Sequence, residues 1–286
     1  MANKGKKSVP TRKVVLVPVD FTPVTENAIL HGIDIASSLQ CPVCLLHVYN
    51  PPGGDEAVKD NLSLQVIQNR LLEYKTLFEK EYSVKVSPLI REGNLFKAVS
   101  KVVSEVKPPF MVMGTHGKQG LQQIFGSYAL RMVLDCSCPV MVVQEKPAQK
   151  GYPRILLPVN SEVDPSQLID RVMQLSMVVM PEVHLYQSLE TIPDRAAAIS
   201  VVATQMVRTF KEKKISCSLS VAASSHDYSG QVINYAASNR FSLVMTMTMP
   251  APDYASGYNF SDWNERLMFN AGKIPVMFID QADIME

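Results

Sequence analysis

The segment "VMGTHGKQGLQQIFGSYALRMVLD", residues 112–135, sets glycines at 114, 117, 120 and 126 between an apolar run and a helical pattern. Residues without a side chain adopt positive φ and let the backbone approach a ligand closely, so successive N–H groups can converge on an anion. A helix starting at Ser127 would add unpaired amides and the positive end of its dipole, and the Ser127 hydroxyl would be a further donor. His116, inside the turn, is placed to donate to a phosphate. Glycine-rich strand-to-helix turns also occur simply where a chain must bend. These residues alone therefore leave phosphate binding and a structural turn equally open.

Alternating strands and helices position the turn. The run "VVLVPVD" (14–20) is followed by Thr22-Pro23, a polar residue and then a proline of the kind that opens helices, and a helix is expected over 23–39. Next come a strand in "PVCLLHVY" and a helix turning Leu64, Ile67, Leu71, Tyr74 and Phe78 inward. A strand in "SVKVSPLI" and a helix over 94–106, with Leu95, Ala98, Val99, Val102 and Val106 inward, lead to the strand "FMVMG" before the glycine turn. A helix over 127–135 and the strand "PVMVV" close the unit. Short, continuously apolar strands separated by helices predict an α/β fold with a doubly wound parallel sheet covered on both faces. Ligands of such sheets sit outside the carboxyl ends of the strands, where the glycine turn falls.

The unit is repeated. "VVLVPVD" returns as "RILLPVN" at 154–160, again followed by a polar-proline pair, Asp164-Pro165, and by apolar residues at helical spacing, Leu168, Val172 and Leu175. The halves end alike, "CPVMVVQ" matching "IPVMFID". The expected organisation is a basic leader over 1–11, one domain over 12–146 and a second over 152–286. Their last strands, 139–144 and 274–280, are apolar edge strands that need a partner, and they are the expected seam of an internal pseudo-dimer.

With 286 residues, 47% of them hydrophobic, the chain can fill a core in each half. A net charge of +1 gives no field for nucleic acid. No apolar run approaches a membrane span, and the short run ending at Asp20 is no secretory signal. Five cysteines in a chain of this size suggest no disulfide framework, which points to a reducing cytoplasm.

The pattern Gly-x-x-Gly, a spacer and Gly-Ser, ahead of a helix and a Cys-Pro-Val strand, together with "PVDFT" at 18–22, resembles the universal stress protein family in its tandem form. The resemblance covers about residues 12–280 and implies Rossmann-like domains of the HUP type paired as a pseudo-dimer. It also implies a nucleotide ligand, ATP alone or with Mg²⁺, and a role in stress response. By that resemblance Pro18, Val19 and Asp20 would contact the nucleoside, with Val48 lining the adenine pocket. Met113, Gly114, His116, Gly117, Gly126, Ser127 and Tyr128 would hold the phosphates. The spacer here, "KQGLQQIF", is one residue shorter than the family's usual one, and Gly120 inside it could absorb the difference.

In the second half Asn160 stands for Asp20 and Ser188 for Val48, and "MTMPAPDYASGYNFSDWNERLM" replaces the glycine turn. A cradle short of glycines cannot present the same amides, so one nucleotide site per chain is expected, in the first half. The loop "SSHDYSG" (224–230), with His226 and Asp227, reads as an ordinary polar loop.

"CPVC" at 41–44 opens a strand, where side chains three apart point to opposite faces, so Cys41, Cys44, Cys136 and Cys138 read as structural thiols rather than a disulfide or a metal site. His47 reads as a strand residue near the pocket. Neither a hydrolase triad nor a Walker phosphate loop occurs, and no second carboxylate joins Asp20, so at most slow ATP hydrolysis is expected. The competing class is a scaffold for an unknown protein partner in which the glycine turn is structural. The sequence leaves open whether two chains associate as a homodimer.

Overall fold

A computed structural model describes residues 13–50, 62–115, 123–147, 150–161, 165–176, 180–248 and 262–280, with the side chains of 123–128 excepted. His116, Gly117 and Gly120 therefore lie outside the described residues, as do Asp164 and the leader.

In the first half, β1 (Val15–Pro18), β2 (Val43–Tyr49), β3 (Val86–Glu92), β4 (Met111–Gly114) and β5 (Val140–Val143) alternate with α1 (Pro23–Ser38), α2 (Leu64–Tyr82), α3 (Leu95–Val106) and α4 (Gln123–Asp135). The second half builds β6 (Arg154–Val159), α5 (Pro165–Leu175), β7 (Glu182–Gln187), α6 (Pro193–Glu212), β8 (Cys217–Val221), α7 (Tyr228–Ser238), β9 (Leu243–Met247), α8 (Asp262–Met268) and β10 (Val276–Ile279). Local chemistry sets several boundaries. Asn94 caps α3 by accepting from Lys97 N at 3.1 Å, and Lys107 ends the helix in the left-handed region at φ 47°. Thr22, expected to cap α1, makes no side-chain cap; its hydroxyl goes to Asp20 instead. In α2, Ile67, Leu71 and Phe78 are buried as expected, but Leu64 in the first turn is 43% exposed. The expected loop 224–230 is cut short because α7 starts at Tyr228, with Asp227 capping it by accepting from Gly230 N at 3.3 Å.

All ten strands form one sheet, in the order β3-β2-β1-β4-β5-β10-β9-β6-β7-β8. Each half is parallel within itself and doubly wound, with its switch point between β1 and β4 or between β6 and β9. The halves join where β5 pairs antiparallel with β10, Met141 opposite Met277, so the expected seam of a pseudo-dimer is the one observed. Two apolar layers cover the sheet. One packs α1, α2, α5 and α6 against residues such as Val17, Leu45, Leu157 and Leu185; the other packs α3, α4, α7 and α8 against Leu16, Leu46, Leu156 and Val244. Cys41 packs in the first layer, whereas Cys44 lies in the second. Burial pushes the Cys44 and Cys136 thiols up to about 12, which makes them poor nucleophiles at neutral pH.

Polar side chains lock the halves together behind the seam. Asn27 of α1 ties down the end of β5 within the first half, donating to the Gln144 and Lys146 carbonyls at 2.6 and 2.7 Å, and Gln144 Nε2 reaches across to the second half, donating to the Met268 and Asn270 carbonyls at 3.1 and 3.2 Å. His31 is fully buried between the Lys146 carbonyl, 3.1 Å from Nε2, and the Tyr152 hydroxyl, 2.9 Å from Nδ1. A carbonyl only accepts, so Nε2 carries the proton and Tyr152 donates to Nδ1. No helix among the described residues is long and apolar enough to cross a membrane.

Candidate functional site

Strands β1 and β4 pair only at Leu16↔Met111, so their carboxyl ends run on without ladder bonds between them and leave a crevice at the switch point. Pro18, Val19 and Asp20 end one wall and Met113 and Gly114 the other, while Val48 lies near the end of β2 beside them. These six predicted residues are brought to one end of the sheet. Val19 is buried, its N–H bonded to the Leu46 carbonyl at 2.8 Å, and Asp20 stands exposed beyond it.

Asp20 is held by a local turn. Its Oδ1 accepts from Thr22 N at 3.0 Å, from Thr22 Oγ1 at 2.6 Å and from Thr25 Oγ1, while its own N–H donates to Thr25 Oγ1 at 3.3 Å. All of these bonds to the carboxylate fall on Oδ1, and among the described residues Oδ2 has no partner. The carboxylate is thus fixed in direction with one oxygen turned outward as an acceptor. Thr22 and Thr25 aim this carboxylate, a role that the sequence did not suggest. The "DFTPVT" string is their signal, since Thr and Asp at such spacing form side-chain-to-backbone turns.

The opposite wall is built by a close approach. A Cβ on Gly114 would lie 2.7 Å from Val24 Cγ1 and 3.0 Å from the Val24 carbonyl oxygen, so the first turn of α1 packs directly on β4. Gly114→Ala is accordingly expected to push α1 away and to cost about 1–3 kcal/mol, read as a lowered urea midpoint. Thr115 follows; its N–H donates to the Val143 carbonyl at 2.9 Å, and its hydroxyl is buried with no hydrogen-bond partner among the described residues. Strand alternation puts that hydroxyl on the face of Met111 and Met113, the face that α4 covers. A buried hydroxyl without a partner costs about 1–3 kcal/mol, which any hydrogen-bonding group that reached it would offset.

Gly126, Ser127 and Tyr128 fall within α4, which begins at Gln123 and not at Ser127 as expected. Gln123 precedes the predicted start by about one helical turn, so the open amide end lies ahead of Gly126 rather than at Ser127. His47 donates from Nδ1 to the Val19 carbonyl at 2.8 Å and its ring lies 4.9 Å from that of Phe21, so it braces the turn after β1.

The Universal stress protein family pattern matches residues 11–144. A universal stress protein of Methanocaldococcus jannaschii is 30% identical over 141 residues, 46% of this chain and 82% of that protein. The chain belongs to the universal stress protein family. A universal stress protein A homolog of Coxiella burnetii is 29% identical over 143 residues, 47% of this chain and 97% of that protein. The crystal structure of a universal stress protein from Archaeoglobus fulgidus shares the fold over both halves, with a TM-score of 0.72 at 13% identity, covering 95% of this chain and 97% of that one. The cytoplasmic domain of a prokaryotic cation chloride cotransporter shares it too, with a TM-score of 0.55 at 14% identity over 95% of this chain and 97% of that one. The fold therefore does not decide function by itself.

In the second half of this universal stress protein the corresponding strand ends are filled from within. Where Val19 bonds directly to Leu46, Val159 N instead donates to the Tyr228 hydroxyl at 3.0 Å, and that hydroxyl donates to the Tyr186 carbonyl. The Tyr228 ring stacks on Trp263 at 5.4 Å and lies nearly parallel to Tyr186 at 6.1 Å. Burial raises the Tyr228 hydroxyl well above its ordinary range, so it stays a neutral donor.

Proposed function

We propose that the protein is a nucleotide-responsive regulator of a stress response, binding one ATP or related nucleotide per chain in the first-half crevice. The observation that carries this reading is the buried Thr115 hydroxyl at the end of β4, which meets no partner among the described residues. A nucleotide spanning the crevice would give it an acceptor, and Asp20 Oδ2 would accept from a ribose hydroxyl. The phosphates would extend toward the glycine turn and the amide end of α4, with Mg²⁺ carried on them. Tyr228 and Trp263 already occupy the second-half counterpart, which supports a single site. Binding would order the glycine turn and alter which protein partner the surface accepts. A reducing cytoplasm suits the five free thiols.

The test uses opposite signs. Thr115→Val removes the unpaired hydroxyl, so the ligand-free protein should be as stable as wild type or more so, while ATP affinity falls about tenfold, the loss of one hydrogen bond. Melting temperature against ATP concentration reads both quantities. A variant that loses ligand-free stability but keeps its ATP response would contradict the proposal. One observation favours the competing scaffold reading: Ser127 lies inside α4, where its amide is bonded along the helix. On that reading ATP leaves the melting temperature of both proteins unchanged.

A further inference from the structure

The sheet has two outer edges, β3 and β8, related by the repeat but treated differently by the sequence. An edge strand exposes backbone groups that invite another strand, and proteins blunt it with proline, charge or covering side chains. On β3 the bonds to β2 start with Val43 N to the Lys85 carbonyl and end with Gly93 N to the Tyr49 carbonyl, so Val86, Pro88, Ile90 and Glu92 face outward. Each of the first two is blocked. Glu79 accepts from Val86 N at 2.9 Å and Lys75 donates to the Val86 carbonyl at 3.1 Å, while Pro88 has no N–H to offer. Glu92 adds a charge.

On β8 the same parallel pattern runs from Val183 N to the Ser216 carbonyl through to Ala222 N and the Gln187 carbonyl. Cys217, Leu219 and Val221 therefore turn their N–H and C=O groups outward, and among the described residues no side chain meets them. The strand "CSLSV" contains no proline and no charge, and Leu219 and Val221 are 41% and 50% exposed. Their side chains share one face with Cys217, which packs toward the α6 layer; Ser218 and Ser220 share the other, bonded to His184 at 2.7 Å and to Tyr235 at 3.3 Å.

We propose that β8 pairs antiparallel with β8 of a second copy of this chain, about a two-fold axis at Leu219. The strand is self-complementary in that register. Leu219 meets Leu219, Cys217 meets Val221 and Ser218 meets Ser220, so the apolar face continues as apolar and the serine face as serine. The outward residues 217, 219 and 221 are also the ones that must exchange paired N–H and C=O bonds, and the closer serine pairs alternate with them. The chain already builds such a junction at its centre, where β5 pairs antiparallel with β10 and flanking helices close over the joint. A β8–β8 junction extends that sheet by the same construction, with α6 and α7 of each copy flanking it. The blunted β3 edge leaves β8 as the end from which the sheet can grow.

Sedimentation of the full chain tests this with a charge swap. Leu219 is on the surface, so Leu219→Lys and Leu219→Glu should both fold, with melting temperatures close to wild type. Wild type is expected to dimerise with a Kd of about 1–10 µM, as befits a small interface. Each variant opposes like charges across the axis and should dimerise at least about tenfold more weakly, whereas an equal mixture of the two should recover a one-to-one heterodimer. A wild type that stays monomeric at about 100 µM would overturn the proposal, including the case in which another protein's strand takes the edge. So would variants that dimerise like wild type, or a mixture that does not recover.

Discussion

Replacing Asn270 by alanine is expected to remove about 3–5 kcal/mol of stability. Asn270 is buried between α8 and β10, where Nδ2 donates to the Leu267 and Ile274 carbonyls at 2.9 and 2.8 Å and Oδ1 accepts from Ile274 N at 2.9 Å. Its own carbonyl accepts from Gln144, which follows β5. Alanine would strand three backbone groups away from water at the entrance to the seam strand. Asn270→Asp should do no better, since a carboxylate faces the same two carbonyls without a donor. Urea unfolding followed by fluorescence measures the loss, and a change under about 1 kcal/mol in either variant would show that the loop re-pairs its backbone elsewhere.

Acid destabilisation through His31 is the second large effect. Burial holds the imidazole down at about 4, against an ordinary value near 6.5, even though the Lys146 carbonyl works the other way. Between those values the unfolded chain binds a proton that the folded chain refuses, so stability falls as pH drops from above about 6.5 and levels off below about 4. The full loss is about 3 kcal/mol, of which about 2 kcal/mol accrues between pH 7 and pH 5. Asp34 sits nearby, its carboxyl pushed up mainly by burial and accepting from Gly151 N at 2.8 Å, and it gives the opposite slope from its ordinary value of 3.8 upward. Lys146, Lys150 and Tyr152 are also among the charged and titratable groups around the joint. Comparing urea midpoints of wild type and His31→Gln cancels those common terms. Wild type should lose about 2 kcal/mol more than the variant on going from pH 7 to pH 5, and equal slopes would mean that His31 takes up its proton without opening the joint.

The halves, their strands and the seam were legible because buried parallel strands must be continuously apolar, and "VVLVPVD" and "RILLPVN" leave few alternatives. The start of α4 was misplaced for a physical reason: Gly126-Ser127 reads as a helix opening, but "QIF" ahead of it has enough helix-forming and apolar character to begin a turn earlier. Asp20 was singled out through the family resemblance, and it does stand at the carboxyl end of β1; the threonines that aim it were not foreseen, because Thr22 looked like a helix cap. Thr115 escaped notice because nothing in a sequence distinguishes a buried hydroxyl with a partner from one without. Tyr228 was hidden likewise, since its bond to Val159 spans 69 residues and joins the end of β6 to the start of α7. The "SSHDYSG" string offered only a polar loop, and the one residue in it that reaches the strand ends is an aromatic whose polar tip replaces a ladder bond.

Isothermal titration of the purified full chain with ATP and Mg²⁺ tests the central claim most directly. The account predicts one site per chain in wild type, a binding constant weakened at least about tenfold by Asp20→Ala, and an unchanged site in Tyr228→Phe. Two equivalent sites per chain, or no heat of binding in protein freed of nucleotide by unfolding and refolding, would contradict it.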